Sequence, residues 1–179
     1  MKTHVTTIGS LILSLVLCAS AQANDATKAA SENLGASMVS EVSFDQGRST
    51  LNDSAKSEIR KIVDEAKQKG KIDELKVAAW ADREYPTSGT KASKQDIDLA
   101  DERARSVKNF IKDDLQVGSV NTYNMTERPN ALQKFMRTDT AKTKTAMENT
   151  GAAPRTSDET GLFNQKAKSS KAVIMVYVK

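Results

Sequence analysis

The chain has 179 residues, 38% hydrophobic and 4% aromatic, with 27 Lys and Arg against 23 Asp and Glu, a formal charge of +4. Such a composition excludes a chain built of repeated apolar membrane spans, each of which needs ~20 consecutive apolar residues. So small a positive excess, with few aromatic residues among the cations, also argues against nucleic acid as a partner.

The first residues read as an export signal. Lys2 and His4 precede an apolar run from Ile8 to Cys18, and Ala21-Gln22-Ala23 supplies a small-residue cleavage site. The run is too short to span a bilayer. The expectation is a signal peptide over 1–23, cut after Ala23, which sends the chain to the periplasm with no transmembrane segment in its mature form. Leu17 stands before Cys18 in place of the Gly, Ala or Ser that usually precedes a lipidated cysteine. Cys18 and His4 are the sole cysteine and histidine, so residues 24–179 hold neither type. Disulfides, thiolate catalysis, Ser-His-Asp triads and Cys/His zinc sites are thereby excluded from that part of the chain. Acidic residues remain, but their spacing singles out no catalytic pair, and neither a metal nor a cofactor is expected.

Residues 24–37, rich in Ala, Ser and Asn, read as a linker or a frayed helix. Met38 to Phe44 alternates as a strand, and Asp45-Gln46-Gly47-Arg48-Ser49 has turn chemistry. Asn52 and Asp53 can cap a helix whose stripe is Ala55, Ile59, Ile62, Val63 and Ala66, and Gly70 stops it. Leu75 to Ala81 predicts a second strand, with Leu75, Val77 and Ala79 on one face and Lys76, Ala78 and Trp80 on the other. A polar loop over 83–93 leads to Ser93, an N-cap with Asp96 as its capping-box partner. The stripe Ala100, Ala104, Val107 and Ile111 marks the helix that follows. Val117 to Asn124 reads as a weaker strand and Ala172 to Val178 as a strong one. Between them, 130–148 predicts a threonine-rich helix and 149–171 an irregular polar segment. The net charge is −3 over 24–127 and +6 over 128–179. The order strand-helix-strand-helix-strand-(helix)-strand predicts an α/β fold, a two-layer sandwich with helices on one face of the sheet.

Three segments, 42–51, 77–82 and 99–107, resemble the OmpA-like (OmpA/MotB C-terminal) peptidoglycan-associating domain. Val42-Ser43-Phe44-Asp45-Gln46-Gly47-Arg48-Ser49-Thr50-Leu51 is similar to the family's opening strand and its Phe-Asp-x-Gly turn. Val77-Ala78-Ala79-Trp80-Ala81-Asp82 stands where the family has Val-x-Gly-His-Thr-Asp. Leu99-Ala100-Asp101-Glu102-Arg103-Ala104-Arg105-Ser106-Val107 matches Leu-Ser-x-x-Arg-Ala-x-x-Val. The resemblance implies an OmpA-like βαβαβ(α)β fold with a mixed sheet over 38–179, carrying an atypical insertion at about 128–171. It also implies ligand-binding roles for Asp82 and Arg103, which would clasp diaminopimelate in the peptidoglycan stem peptide. The chemistry suits the ligand: a zwitterionic amino-acid end calls for a carboxylate at its ammonium and a guanidinium fork at its carboxylate.

Besides that insertion, an enlarged loop between Asp82 and Arg103 and a lack of glycines after the third strand, the sequence departs from the pattern at the site. Ala79, Trp80 and Ala81 replace Gly, His and Thr, and Ser170-Lys171 replaces an Arg pair near the end. Asp96 takes the place of the family's Asn, and it joins Trp80 as a candidate for lining the ligand groove. The expected function is a non-enzymatic peptidoglycan-binding module of the periplasm, associated with the outer membrane. The alternative is a fold of the same family that has lost wall binding and serves an envelope protein complex through its basic 128–171 region. A carboxylate-based glycan hydrolase is the third and weakest reading.

Overall fold

The structure, a computed structural model, describes residues 24–86, 90–155 and 168–179. The expected signal peptide and its cleavage site at Ala23 lie outside the described residues, as do 87–89 and 156–167. Five helices and four strands occur among the described residues. They are α1 (Asp25–Asn33), β1 (Met38–Ser43), α2 (Asp53–Lys69), β2 (Ile72–Ala79), α3 (Lys94–Asn109), β3 (Val120–Asn124), α4 (Ala131–Met136), α5 (Asp139–Asn149) and β4 (Lys171–Val178). The strands form one mixed sheet in the order β1-β4-β2-β3. β4 is antiparallel to both neighbours, and β2 and β3 run parallel through the α3 crossover.

Alternation along the strands divides the apolar side chains between two faces. Val42, Leu75, Val77, Ala79, Ile174 and Val176 meet the stripes of α2 and α3 in the larger core. In α2 the buried set is Ala55, Ile59, Ile62, Val63 and Ala66, the expected stripe, with Asn52 accepting from the Ala55 amide and Gly70 closing the helix. Each buried Ile or Val of this stripe contributes roughly 1.5–3 kcal/mol and the alanines less, which fixes α2 on the sheet. The same logic docks α3, whose N-cap is Ser93 as expected. A π-helical turn, Phe110–Asp114, extends α3 and buries Phe110 and Ile111.

The opposite face is covered too, which corrects the expectation of helices on one face alone. Ala78, Trp80, Tyr123, Val173 and Met175 pack there with Ala30 of α1, Met147 of α5, Tyr85 and Met125. The α/β sandwich stands, with a second and smaller helical layer added. Sheet residues on this face are large and apolar, so leaving them in water would cost several kcal/mol, and α1 and α5 supply the cover. Residues 25–33, which composition assigned to a linker or frayed helix, form α1, capped by Asn24 accepting from the Thr27 amide. The single helix expected over 130–148 is two. Arg137 takes a left-handed conformation, φ 46°, at the end of α4, and Thr138 caps α5.

Candidate functional site

Asp82 follows the C-terminal end of β2, and the backbone around it is held from both sides. The Trp80 amide donates to Lys171 O (2.9 Å), the Ser170 amide to Ala81 O (2.8 Å), and the Ala81 amide to Thr126 Oγ1 (3.2 Å). The chain just before β4 and the chain just after β3 therefore fix where the Asp82 carboxylate points. Ser169 Oγ also donates to Asp82 O at 2.8 Å.

The carboxylate has three partners. Arg103 Nη2 and Ser170 Oγ donate to Oδ1, the latter at 2.8 Å, and the Gly47 amide donates to Oδ2. Gly47 sits at φ 66° in the turn after β1, a left-handed conformation that glycine adopts without steric cost. Burial of Asp82 raises the pKa of its carboxyl, but the hydrogen bonds from Arg103, Gly47 and Ser170 and the charge of Arg103 outweigh it and hold the group below the usual 3.8. It is an anion near neutral pH, with a side chain 16% exposed.

Asp82 and Arg103 are thus brought together, though not as a symmetric clasp. Arg103 is 0% exposed. Its Nε donates to Arg48 O (2.8 Å), Nη1 to Trp80 O (2.9 Å) and Nη2 to Asp45 O (3.1 Å) as well as to Asp82. The guanidinium also lies over the Phe44 ring, 5.0 Å from its centroid. Four of the five N–H donors of the fork therefore already have acceptors. The guanidinium fork points into the protein, where it ties the turn after β1 and the end of β2 to α3.

Neither groove-lining candidate touches Arg103 or the Asp82 carboxylate with its side chain among the described contacts. Trp80 is 1% exposed and belongs to the second core, with the Lys171 ammonium 5.3 Å from its ring centroid. Only its backbone carbonyl reaches the site. Lys171 is 1% exposed and pairs with Glu41 at 3.1 Å, and Thr27 Oγ1 also donates to Glu41. Ser93 caps α3, its Oγ accepting from the Asp96 amide at 3.1 Å. The Asp96 carboxylate accepts from the Ser93 hydroxyl and not from the Ser93 amide as a capping box requires, and Arg83 Nε lies 4.0 Å from it. No described contact joins it to Arg103.

Gly47, Ser169 and Ser170 are site residues that motif reasoning did not assign. The turn chemistry of 45–49 was legible, but its contact with Asp82 joins positions 35 residues apart, and that of Ser170 joins positions 88 apart. Arg48 is exposed on the same turn, and none of the described interactions engages its side chain. Among the described residues, no cluster of acids is arranged to hold a metal ion, and no helix is long and apolar enough to cross a membrane.

The strands of this α/β sandwich end at a charged, loop-braced carboxylate. The model of the OmpA family matches residues 43–149, which include β1's end, Asp82, α3, β3, α4 and α5, and the chain belongs to that family. Domains of the family generally associate with peptidoglycan in the cell envelope and are typically binding modules. No curated protein matches the chain. Among solved structures it is similar to the OmpA-like domain of FopA1 from Francisella tularensis subsp. tularensis SCHU S4, with 16% identity, 78% of this chain and 72% of that chain covered, and a TM-score of 0.44.

Proposed function

We propose that this chain is a non-enzymatic, periplasmic module that holds peptidoglycan through the diaminopimelate end of the stem peptide, with Asp82 and Arg103 as the central pair. Asp82 receives the ligand ammonium on the exposed edge of its carboxylate. Arg103 acts beneath it: it keeps Asp82 charged and aimed, and it joins the turn after β1 to the site. Because the donors of Arg103 are turned inward, the ligand carboxylate falls to Arg48 on the rim.

The observation that carries this reading is the partly exposed Asp82 carboxylate, braced by Arg103, Gly47 and Ser170 and held ionised. An anion so fixed needs no reorganisation to accept an ammonium. The test is cosedimentation with purified diaminopimelate-type sacculi. Asp82→Asn and Arg103→Lys should each weaken binding about thirtyfold, which corresponds to ~2 kcal/mol, while Lys108→Ala should leave it unchanged. Parental binding by both site variants, folded by circular dichroism, would remove wall binding. Release of soluble muropeptides would instead reveal a hydrolase.

One observation favours a second reading, a subunit of an envelope protein complex that has lost wall binding. Helix α4 exposes Leu132, Phe135 and Met136, each by 63% or more. These positions, at i, i+3 and i+4, form one apolar strip in the basic part of the chain.

A further inference from the structure

Among the described residues, the outer edge of β1 is an unpaired strand edge with a groove beside it. β1 ends the sheet, and its one strand neighbour among the described residues is β4. The Phe44 amide donates to Ser170 O (2.8 Å), and the two-residue alternation of an antiparallel ladder then turns the backbone groups of Val39, Glu41 and Ser43 outward. The strand Met-Val-Ser-Glu-Val-Ser has no Pro, Lys or Arg to blunt the edge, and its one charged side chain, Glu41, is engaged by Lys171 and Thr27. Along it runs a groove of about 340 Å³, lined by Met38, Ser40, Glu58, Lys61, Glu65 and Lys69. Ile62 gives this groove an apolar middle.

The charges of α2 along the groove identify what fits it. They run Glu58, Lys61, Glu65, Lys69, and an antiparallel copy of the same helix sets Glu58 against Lys69 and Lys61 against Glu65. Both pairs are centred on the same turn of α2, at Val63 and Asp64. A two-fold axis there closes all of them at once, in the self-complementary manner of an isologous interface. Lys61, Glu65 and Lys69 have no ion pair among the described residues, and Glu58 accepts only from Ser40 Oγ, at 3.1 Å. These charges are therefore available to a partner. Since α2 packs on the β1 side of the sheet, pairing β1 with its copy would bring the two α2 helices side by side and antiparallel on one face of a continuous eight-stranded sheet.

We propose that β1 and α2 form a homodimer interface whose partner is a second copy of this chain, joined edge to edge at β1 and held in register by the α2 charges. The surface is separate from Asp82 and does not depend on wall binding. Sedimentation velocity over a wide concentration range should show a monomer–dimer equilibrium for residues 24–179. The paired substitution Glu58→Lys with Glu65→Lys makes every cross-helix contact repulsive and should weaken self-association on the order of tenfold or more. Lys61→Glu with Lys69→Glu should do the same. An equimolar mixture of the two variants should form a heterodimer at parental strength. Val39→Pro, which removes an outward-facing N–H, should weaken dimers of the parent and of the mixture alike. A parent that stays monomeric at millimolar concentration, either charge variant that self-associates as the parent does, or a mixture that does not associate would each overturn the proposal. Circular dichroism confirms that every variant is folded, and parental sacculus binding by the charge variants separates this interface from the wall-binding site.

Discussion

Replacing Arg103 by Ala should remove a large part of the domain's stability, and the structure gives the size of the effect. Removing one partner of a buried ion pair costs about 3–5 kcal/mol, because the other charge is left without compensation. Here the other charge is Asp82, whose side chain is 16% exposed, so water reaches part of it and the lower end of that range applies. Three backbone carbonyls lose a donor as well. Those of Asp45 and Arg48 belong to an exposed turn where water can substitute, whereas that of Trp80 follows the β2 strand under Arg103 and loses about 1 kcal/mol or more. The total is about 4 kcal/mol, against a typical domain stability of 5–15 kcal/mol.

Urea denaturation followed by the fluorescence of Trp80, the sole tryptophan, measures this directly. Arg103→Lys should fall between parent and Ala variant, since an ammonium keeps the charge but cannot span four acceptors set around a planar fork. The pair also contributes to the acid dependence of the fold's stability. Asp82 has a lower pKa folded than unfolded, so its contribution is complete above the unfolded value, near 3.8, and is lost as pH falls through the lower folded value. Stability of the parent should therefore drop from about pH 4 downward, and an Asp82→Asn variant should show a flatter acid limb. An Arg103→Ala protein within 1 kcal/mol of the parent would refute this account of the pair.

Two further outcomes concern the frame of the site. A methyl group at Gly70 would lie 2.7 Å from Lys179 O and 2.9 Å from Val178 Cγ1, so Gly70→Ala should cost about 1–3 kcal/mol in urea, and an unchanged midpoint would mean that the end of β4 yields freely. Lys171→Met should cost about 3 kcal/mol by leaving the Glu41 carboxylate without its counter-charge, with only Thr27 still donating to it, and adding Glu41→Gln should recover most of it; thermal melts of the four proteins in that cycle decide whether the pair acts as a unit.

The parts of the fold that were legible in the sequence are those where burial follows a period. Ala55 to Ala66 repeats on a helical stripe between Asn52 and Gly70, and β2 alternates from Leu75 to Trp80, so both elements and their inward faces could be read directly. Helix α1 carries no such signal. Its buried residues are Thr27, Ala30 and Ser31, all small, and what docks it is contact with a sheet face that exists only in the folded chain. The second core likewise draws Trp80, Tyr85, Met125 and Met147 from four separate segments, which no local pattern joins. The pairing of Asp82 with Arg103 was legible through motif resemblance, but the direction of Arg103 was not taken from it. The signal was present: Arg103 lies on the stripe that runs Ala100, Ala104 and Val107, the buried side of α3.

That placement decides which substitution separates ligand binding from folding. A change at Asp82 would remove the proposed ammonium contact and break the internal ion pair together, and a change at Arg103 would break that pair and release the carboxylate it aims, so lost binding by either is read only beside a stability measurement. Arg48 differs. Its backbone carbonyl accepts from Arg103, and Arg48→Ala leaves that carbonyl in place, while its exposed side chain enters none of the described interactions. Exposed substitutions of this kind change stability by about 0.5 kcal/mol or less. If its guanidinium receives the ligand carboxylate, Arg48→Ala should weaken sacculus binding about tenfold, at the low end of charged hydrogen bonds, and leave the urea midpoint where it was. Arg48→Lys should restore only part of the affinity, because the two-pronged contact is lost. Raising the salt concentration separates this contact from diffuse attraction by the basic half of the chain: a specific, partly shielded pair persists, whereas long-range attraction is screened within ~10 Å at 0.1 M. Parental binding by Arg48→Ala, with Asp82→Asn still defective, would keep the ammonium contact and move the carboxylate elsewhere on the rim.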